Sequence, residues 1–396
     1  VSLMSGESLR VFAHTMFTSL NSFTFMAIPF FILAGKLMEH GGISQKIIDF
    51  ANSLVGHYRG GLAYVMVLGC MIFSAVSGSA LGTAVAIGGV MLPAMIQQGY
   101  SRTFSAALLA SAGLIGLIIP PSVPMVVYGA LADASISKLF LAGIIPGVIM
   151  GLSLMGWTYY VCRKYNYGIP QERKTLKEVW NSFRSAVWAI LMPVIILGGI
   201  YGGFFTPTEA SVIAVVYGFL VGIFVYRLIT VQVIKKILLS TVITTSVLCI
   251  IISASTYFGM WLTRNQIPQA ISAAFLEGQL PPFLTMILII IFLLILGTFM
   301  DAAAAQIITT PILVPITTSV GYDSVHFGLI MISTLAVGLL TPPLGVCLAL
   351  SAQMAKTSFE SVIRPAIPLV IILILDIILI TLFPQLSIGL ANFILD

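Results

Sequence analysis

The chain contains an internal repeat. Residues 93–146 recur without a gap as residues 315–368, at a constant offset of 222 positions (315 − 93). Each copy holds a Pro-Pro pair, Pro120–Pro121 in the first and Pro342–Pro343 in the second, inside a strongly apolar run. An internal repeat with apolar segments interrupted at matching positions is typical of a secondary transporter, whose site lies at the interface between the repeats.

Composition places the chain in a membrane. It is 59% hydrophobic and only 8% charged, whereas a soluble domain carries roughly 25% charged residues. A surface with so little charge must face lipid, and the apolar runs reach the ~20 residues that a spanning helix needs. The net charge of +5 is spread over loops, which favours membrane orientation over nucleic-acid binding. We therefore predict an all-α polytopic membrane protein with two inverted structural repeats.

Loops and short segments indicate the topology. The basic loop 162–184 lies between the repeats, and the positive-inside rule makes it cytoplasmic. The segments 79–98 and 302–319 contain internal glycines or prolines, so we expect broken, re-entrant hairpins. Residues 41–57 can form an amphipathic arm helix, with a counterpart near 265–277. Cysteines are too far apart in sequence for a CxxC metal or redox pair.

The repeated Pro-Pro pair points to a cation site. Proline has no N–H, so each pair leaves two helical carbonyls without a donor. Such carbonyls suit a dehydrated Na⁺, and two equivalent sets predict two equivalent sites. The alternative is that the pairs only kink their helices and that Ser or Thr hydroxyls bond to the carbonyls. The four carbonyls belong to Gly116, Leu117, Gly338 and Leu339.

Polar residues mark the tips of the two predicted hairpins. Residues 77–80, followed by Thr83, form the first tip, and residues 297–301 form the second. Their hydroxyls and glycines can complete a cation shell, and the helices that follow would direct positive N-terminal ends to the centre. The serines can equally be helix caps without a ligand.

Four charged residues in or beside apolar segments have separate interpretations. Asp301 is the strongest candidate acid for substrate or ion, or else an N-cap. Arg264 can meet an anionic substrate or reach the membrane interface. Asp376 can be a proton site or contact a partner helix, and we favour a structural role. Glu209 is interpreted as a cap in the first turn of a helix. The sequence lacks HExxH, GxSxG and Walker A motifs, so we do not expect an enzyme.

Several motifs together resemble a known family. They are FMAIPFFILAGKLM (25–38), SGSALGT (77–83), Gly-Tyr-Ser (99–101), IIPPS (118–122), FTPTEA (205–210), GTFMD (297–301) and TPPLG (341–345). The combination resembles the large membrane subunit of TRAP (tripartite ATP-independent periplasmic) transporters over almost the whole chain. Within that family the sequence is most similar to the sialic-acid type.

The resemblance implies a function and partners. It implies an elevator mechanism, of the ion-transporter-superfamily kind, in which Na⁺ drives import of an organic anion across the bacterial inner membrane. The anion would be delivered by a periplasmic substrate-binding protein, and a small membrane subunit, separate or fused, would complete the scaffold. The family also has a further transmembrane helix before the segment corresponding to 12–38. We therefore expect a missing helix before Val1.

Site residues follow from the same resemblance. One of about two Na⁺ sites would use Ser77, Gly116, Ile119 and Pro121, and its pseudo-symmetric partner would use Thr298, Gly338, Thr341 and Pro343. Ser79, Ser122, Arg264 and Asp301 are the candidates nearest the substrate.

The predicted domain division separates scaffold from transport halves. Scaffold and interfacial arm occupy 1–76, transport half 1 occupies 77–137, and scaffold with the cytoplasmic linker 162–184 occupies 138–262. Arm and scaffold of the second repeat occupy 263–296, transport half 2 occupies 297–357, and a C-terminal scaffold helix occupies 358–396.

Alternatives to this function remain open on the sequence. They are a stand-alone Na⁺-coupled dicarboxylate or organic-anion symporter or antiporter, a C4-dicarboxylate TRAP permease, and a membrane scaffold that does not transport. Two symmetric sets of freed carbonyls argue against the scaffold, because a scaffold has no need of them.

Overall fold

A computed structural model describes residues 9–170, 172–277 and 281–395. Within these ranges the secondary structure is helical. The α-helices, numbered in chain order, are α1 Leu9–Thr18, α2 Ala27–His40, α3 Ile43–Val55, α4 Gly61–Ser77, α5 Ala80–Gln97, α6 Arg102–Gly113, α7 Val123–Leu131, α8 Ile136–Tyr165, α9 Leu176–Tyr201, α10 Pro207–Leu220, α11 Val231–Arg264, α12 Ile267–Glu277, α13 Pro282–Phe299, α14 Ala302–Ser319, α15 Ser324–Gly338, α16 Val346–Met354, α17 Phe359–Leu382 and α18 Gln385–Leu395.

Helix length and composition confirm the all-α membrane fold. Eight helices of the described residues are long and apolar enough to cross a bilayer, namely α5, α8, α9, α10 with its π-helical extension, α11, α13, α14 and α17. In α11, α13 and α17 much of the apolar surface points outward, with exposed side chains such as Leu239, Ile250, Ile295 and Leu375. In water this surface would be costly, whereas in a bilayer it faces hydrocarbon.

The internal repeat of the sequence is also a repeat of structure. Helix α5 covers 80–97 and α14 covers 302–319, which are the same positions shifted by 222 (302 − 80). Helices α4, α6, α7 and α8 correspond in the same way to α13, α15, α16 and α17. The Pro120–Pro121 and Pro342–Pro343 peptide bonds are both cis. The repeat therefore extends over the hairpins as well as the Pro-Pro loops.

Two helices form the centre of the protein. All residues of α6 from Phe104 to Gly113 are buried, and so are all residues of α15 from Val325 to Gly338. A helix that is apolar on every face has to be enclosed by others. Helix α6 packs against α4, α5, α16 and α17, while α15 packs against α13, α14, α8 and α17. Each Pro-Pro loop follows one of these buried helices, so its position is fixed by the core.

Helix α2 lies between two groups of helices. One side of α2 packs on α10 and α11, and the other side packs on α4 and α5, which form the first hairpin. Helices α8 and α17 pack on each other and also contact α4 and α6, respectively. The division into scaffold and transport halves stays a prediction, and residues 1–8 of its first segment lie outside the described residues.

Two local predictions have an outcome in the structure. The predicted amphipathic helix is confirmed as α3, with Ile43, Ile47 and Ile48 buried and Gln45 exposed, and its role as an arm stays a prediction. The capping role of Glu209 is confirmed, because Thr206 and Glu209 form a reciprocal capping box at the start of α10.

The expected breaks inside the hairpin helices are wrong. Helix α5 continues through Gly88, Gly89 and Pro93, and α14 continues through Pro311 and Pro315. An internal proline removes one donor and bends a helix, but packing on neighbouring helices compensates for the loss. Both helices are therefore continuous elements of their hairpins.

Asp376 lies in the middle of α17 and faces α8. Its Oδ1 accepts a hydrogen bond of 2.8 Å from the hydroxyl of Ser153, and its Oδ2 is buried without a partner among the described residues. A carboxylate in this environment is costly unless it is paired. The geometry agrees with the structural role expected for Asp376, as a contact that joins equivalent helices of the two repeats.

We expect Ser153→Ala to lower the stability of the purified protein by roughly 1–3 kcal/mol, because it leaves a buried acid without its donor. Asp376→Asn keeps the shape and a hydrogen-bonding group, so it should melt close to the wild type. Thermal unfolding in detergent measures both. Ser246→Ala, at an exposed position of α11, is the control. A large loss of stability in Asp376→Asn would contradict this account.

Candidate functional site

The tip of the first hairpin is a short non-helical turn. Helix α4 ends at Ser77, Gly78 adopts a left-handed conformation with φ of 61°, and Ser79 begins the next helix. The Ser79 hydroxyl accepts a hydrogen bond of 3.2 Å from the backbone N–H of Gly82, so Ser79 is the N-cap of α5. The tip therefore leaves Ser77 as the buried serine that does not cap a helix.

This tip lies directly against the first Pro-Pro loop. A Cβ atom added to Gly78 would lie 2.7 Å from the carbonyl oxygen of Pro121. A Cβ atom on Gly116 would lie 2.6 Å from the carbonyl oxygen of Ser79 and 2.8 Å from the hydroxyl of Thr83. Real Cβ atoms do not approach other atoms so closely, so both positions require glycine. The two glycines allow the backbones of the tip and the loop to touch.

The second hairpin repeats this contact with different atoms. A Cβ atom on Gly338 would lie 2.7 Å from the Cα atom of Gly297, so the two glycines are in backbone contact. The N–H of Leu344 donates a 3.1 Å hydrogen bond to the carbonyl of Thr298. The structure thus places Thr298 beside the second Pro-Pro loop, as it places Ser77 and Ser79 beside the first.

Three of the four carbonyls predicted to be free have partners, so the prediction is wrong for them. The Leu117 carbonyl accepts from the Ser122 hydroxyl at 2.6 Å, and the Leu339 carbonyl accepts from the Cys347 N–H at 3.2 Å. The Gly338 carbonyl accepts from both the N–H and the hydroxyl of Thr341, at 3.1 and 2.9 Å. Unpaired carbonyls are costly in a low-dielectric interior, and nearby donors satisfy them.

The Gly116 carbonyl is the exception. No donor to it is found among the described residues, since the following N–H groups of Ile118 and Ile119 both bond to Ile115. The Thr83 hydroxyl, which lies against Gly116, is fully buried and also has no partner in the described part of the chain. An unpaired carbonyl and an unpaired hydroxyl at one buried position fit a cation better than they fit a closed core.

The two loops differ in exposure. Pro120 and Pro121 are buried, whereas Pro342 and Pro343 are exposed. The second loop borders a cavity of about 100 Å³, which Leu340, Thr341 and Pro342 share with side chains of α17. The first loop is therefore enclosed by the protein, whereas the second loop lies partly at its surface.

The candidate substrate residues are distributed around this region. Asp301 is exposed, and its Oδ1 accepts a 2.9 Å hydrogen bond from the N–H of Ala303, which confirms an N-cap role at α14. Ser122 is buried, and its hydroxyl donates a hydrogen bond to the Leu117 carbonyl. Arg264 is exposed at the end of α11. Contact of these residues with a substrate stays a prediction.

Two residues of α2, Gly35 and Glu39, also lie beside the first tip, and the sequence did not single them out. A Cβ atom on Gly35 would lie 2.6 Å from the Ser77 carbonyl oxygen. A Cβ atom on Gly82 would lie 2.9 Å from the Ser77 hydroxyl and 3.4 Å from a carboxylate oxygen of Glu39. The contact of α2 with the tip joins residues about forty positions apart, so no local pattern predicts it. The one sequence feature that could have drawn attention to Glu39 is a charged residue directly after an apolar motif.

Comparison with known proteins identifies the class. Residues 2–386 match the family model described as the DctM component of the tripartite ATP-independent periplasmic transporter. The chain is 42% identical to a C4-dicarboxylate TRAP transporter large permease from Pseudomonas aeruginosa, over 99% of this chain and 92% of that protein. It is 37% identical, with the same coverage, to a sialic acid TRAP transporter large permease from Vibrio cholerae.

Further comparisons concern a longer relative and the fold. An isethionate TRAP transporter permease from Oleidesulfovibrio alaskensis is 41% identical over 96% of this chain, which spans 60% of that protein. The crystal structure of the YdaH transporter from Alcanivorax borkumensis superposes with a TM-score of 0.67 at 12% identity, over 94% of this chain and 88% of that one. This likeness concerns the fold alone.

These matches establish a membrane permease, not an enzyme. The chain belongs to the DctM family of large TRAP transporter permeases. It is an integral, multi-pass membrane protein, with eight candidate spans among the described residues. Membership of this family implies a small membrane subunit and a periplasmic binding protein as partners.

We expect Gly116→Ala and Gly338→Ala to lower stability by roughly 1–3 kcal/mol and to abolish most uptake, because a methyl group would separate each hairpin from its loop. Gly89→Ala is the matched control, since nothing lies within 4 Å of its added Cβ and α5 is helical there. It should melt at or slightly above the wild-type temperature. Thermal unfolding and uptake of the three variants test this, and wild-type uptake by Gly116→Ala would contradict it.

Proposed function

We infer that this chain is the permease of a Na⁺-coupled transporter that imports an organic anion by an elevator mechanism. The observation that carries the inference is the paired glycine contact between each hairpin tip and its Pro-Pro loop. Two equivalent backbone sites at the repeat interface are the arrangement in which secondary transporters hold coupling ions and substrate.

The two sites supply oxygen ligands of the kind that Na⁺ prefers. The first comprises Ser77, Gly116, Ile119 and Pro121, and the second comprises Thr298, Gly338, Thr341 and Pro343. The unpaired carbonyl of Gly116 and the unpaired hydroxyl of Thr83 support the first. In the second, the Thr341 hydroxyl bonds to Gly338 and would have to turn its lone pairs toward an ion. We expect about two Na⁺ per chain.

The substrate is an organic anion bound between the two tips. The N-terminal ends of α5 and α14 begin at the tips and favour a negative group there. Ser79, Ser122, Arg264 and Asp301 are the residues proposed to lie nearest to it. We propose sialic acid as the substrate. A C4-dicarboxylate is the second candidate, because the relative with 42% identity is named as a C4-dicarboxylate permease.

The transporter is assembled from three parts. A periplasmic binding protein delivers the anion, and a small membrane subunit, separate or fused, extends the scaffold. This chain spans 60% of the isethionate permease, and the greater length of that relative supports the fused arrangement. Because α2 packs on α10 and α11 and also touches the first hairpin, we place the sliding surface of the elevator along α2.

The test is uptake into proteoliposomes. The chain, its small subunit and the matching binding protein are assayed with radiolabelled sialic acid or a C4-dicarboxylate, with and without an inward Na⁺ gradient. We expect uptake of one of the two anions to require both Na⁺ and the binding protein. Na⁺-driven uptake without the binding protein would support a stand-alone symporter, and uptake without Na⁺ would contradict the coupling.

Single substitutions separate the ion site from the substrate site. We expect Ser77→Ala to raise the half-saturating Na⁺ concentration roughly tenfold, because one hydroxyl ligand is lost. Asp301→Asn should act mainly on the KM for the anion, since it changes the charge at the second tip and keeps the cap. Ser246→Ala, on the exposed surface of α11, serves as the control. Equal Na⁺ dependence in Ser77→Ala and the wild type would contradict the assignment of the first site.

A further inference from the structure

Glu39 places a carboxylate beside the first hairpin tip. It lies in the last turn of α2 and is half-buried. A Cβ atom on Gly82 would lie 3.4 Å from Oε2 of Glu39 and 2.9 Å from Oγ of Ser77. The carboxylate and the Ser77 hydroxyl therefore flank the same point in the first turn of α5. The negative charge is held a few ångströms from the buried serine of the first site.

Helix α2, which carries Glu39, is bonded to α11 through Lys36. The ammonium group of Lys36, one turn earlier, donates to the hydroxyls of Ser240 and Thr244 on α11, at 2.5 and 3.1 Å. These bonds tie α2 to α11 and turn the Lys36 charge toward those hydroxyls. In the contact between Glu39 and the first turn of α5, Glu39 therefore belongs to the group formed by α2 and α11, whereas Ser77 and Gly82 belong to the hairpin.

The charged groups that act on Glu39 come from two helices. Lys36 and His40 lie on α2 itself, and Lys236 lies near the start of α11. On the hairpin side, Oε2 of Glu39 lies beside Gly82 in the first turn of α5, whose residues are uncharged. The hairpin side of the carboxylate thus faces hydroxyls and backbone rather than a cation of the protein.

We propose that Glu39 is a positioning residue of the first Na⁺ site. Its carboxylate strengthens Na⁺ binding at Ser77 while the hairpin lies against α2, and the effect ends when the hairpin moves away. The affinity of the first site for Na⁺ therefore depends on the distance between the hairpin and the Glu39 carboxylate of α2. The proposal rests on the function inferred above, and it adds a residue outside both hairpins and both Pro-Pro loops.

The size of the effect follows from electrostatics. A unit charge held about 6 Å from a cation, in a medium of effective dielectric constant near 20, changes affinity by roughly one to two orders of magnitude. The positive charges of Lys36 and Lys236 reduce this attraction. We therefore expect a change of about tenfold when the carboxylate is removed.

The experiment measures Na⁺ binding directly, by titration calorimetry on the purified permease with its small subunit. Glu39→Gln should raise the Kd of one of the bound ions about tenfold and leave the other unchanged. Glu39→Asp should restore part of the loss. Glu360→Gln, the same substitution at an exposed position on α17, should leave both ions unchanged. Melting temperatures without Na⁺ show whether each variant is folded.

A variant of opposite sign gives an independent test. Lys236 is exposed, so Lys236→Gln should fold normally. Removing its positive charge should tighten Na⁺ binding by about twofold, because Lys236 lies near Glu39 and repels a cation held there.

The outcomes separate this proposal from the proposed function. If Glu39→Gln binds Na⁺ with the same affinity as the wild type, the role of Glu39 is overturned and the Na⁺ coupling stays intact. A wild-type protein that binds no Na⁺ would overturn both. Weaker binding in Glu39→Gln together with tighter binding in Lys236→Gln would support the proposal.

Discussion

The close backbone contact between each hairpin tip and its Pro-Pro loop is the constraint on which the rest of the structure depends. Gly78 and Gly116 allow it in the first repeat, and Gly297 and Gly338 allow it in the second. Non-helical backbone at membrane depth is stable only where protein encloses it. Helices α6 and α15, buried on all faces, provide that enclosure and hold the loops against the tips.

The same constraint links packing to transport. Most carbonyls of the loops are satisfied by local donors such as Ser122, Thr341 and Cys347, so the loops are stable without an ion. In the described part of the chain, the carbonyl of Gly116 and the hydroxyl of Thr83 have no hydrogen-bond partner, and both lie at the first tip. A site with only a few unsatisfied groups can bind Na⁺ and release it, which a coupling ion requires. In the proposed mechanism, Glu39 adds a charge whose distance from this site changes as the hairpin moves.

Much of the fold could be predicted from the sequence because the repeat and the apolar runs are local patterns. The hairpins, the arm helix α3 and the capping box at Thr206 follow from spacing alone. The alternative that hydroxyls bond to the loop carbonyls holds for Ser122 and Thr341. Which residue bonds to which carbonyl could not be predicted, because Ser122 and Cys347 reach back over several residues in a conformation that only the folded loop defines. The continuity of α5 through Pro93 depends on tertiary packing, and the approach of Glu39 to Gly82 joins separate helices.

The most direct test of the account is the number of Na⁺ ions bound by the purified permease, measured with radioactive Na⁺ at equilibrium. The account predicts about two ions per chain, with Ser77→Ala and Thr298→Ala each weakening a different one. In the double variant, binding should fall close to background at the same Na⁺ concentration. Binding of a single ion, or weakening of the same ion by both substitutions, would contradict two equivalent sites built by the repeat.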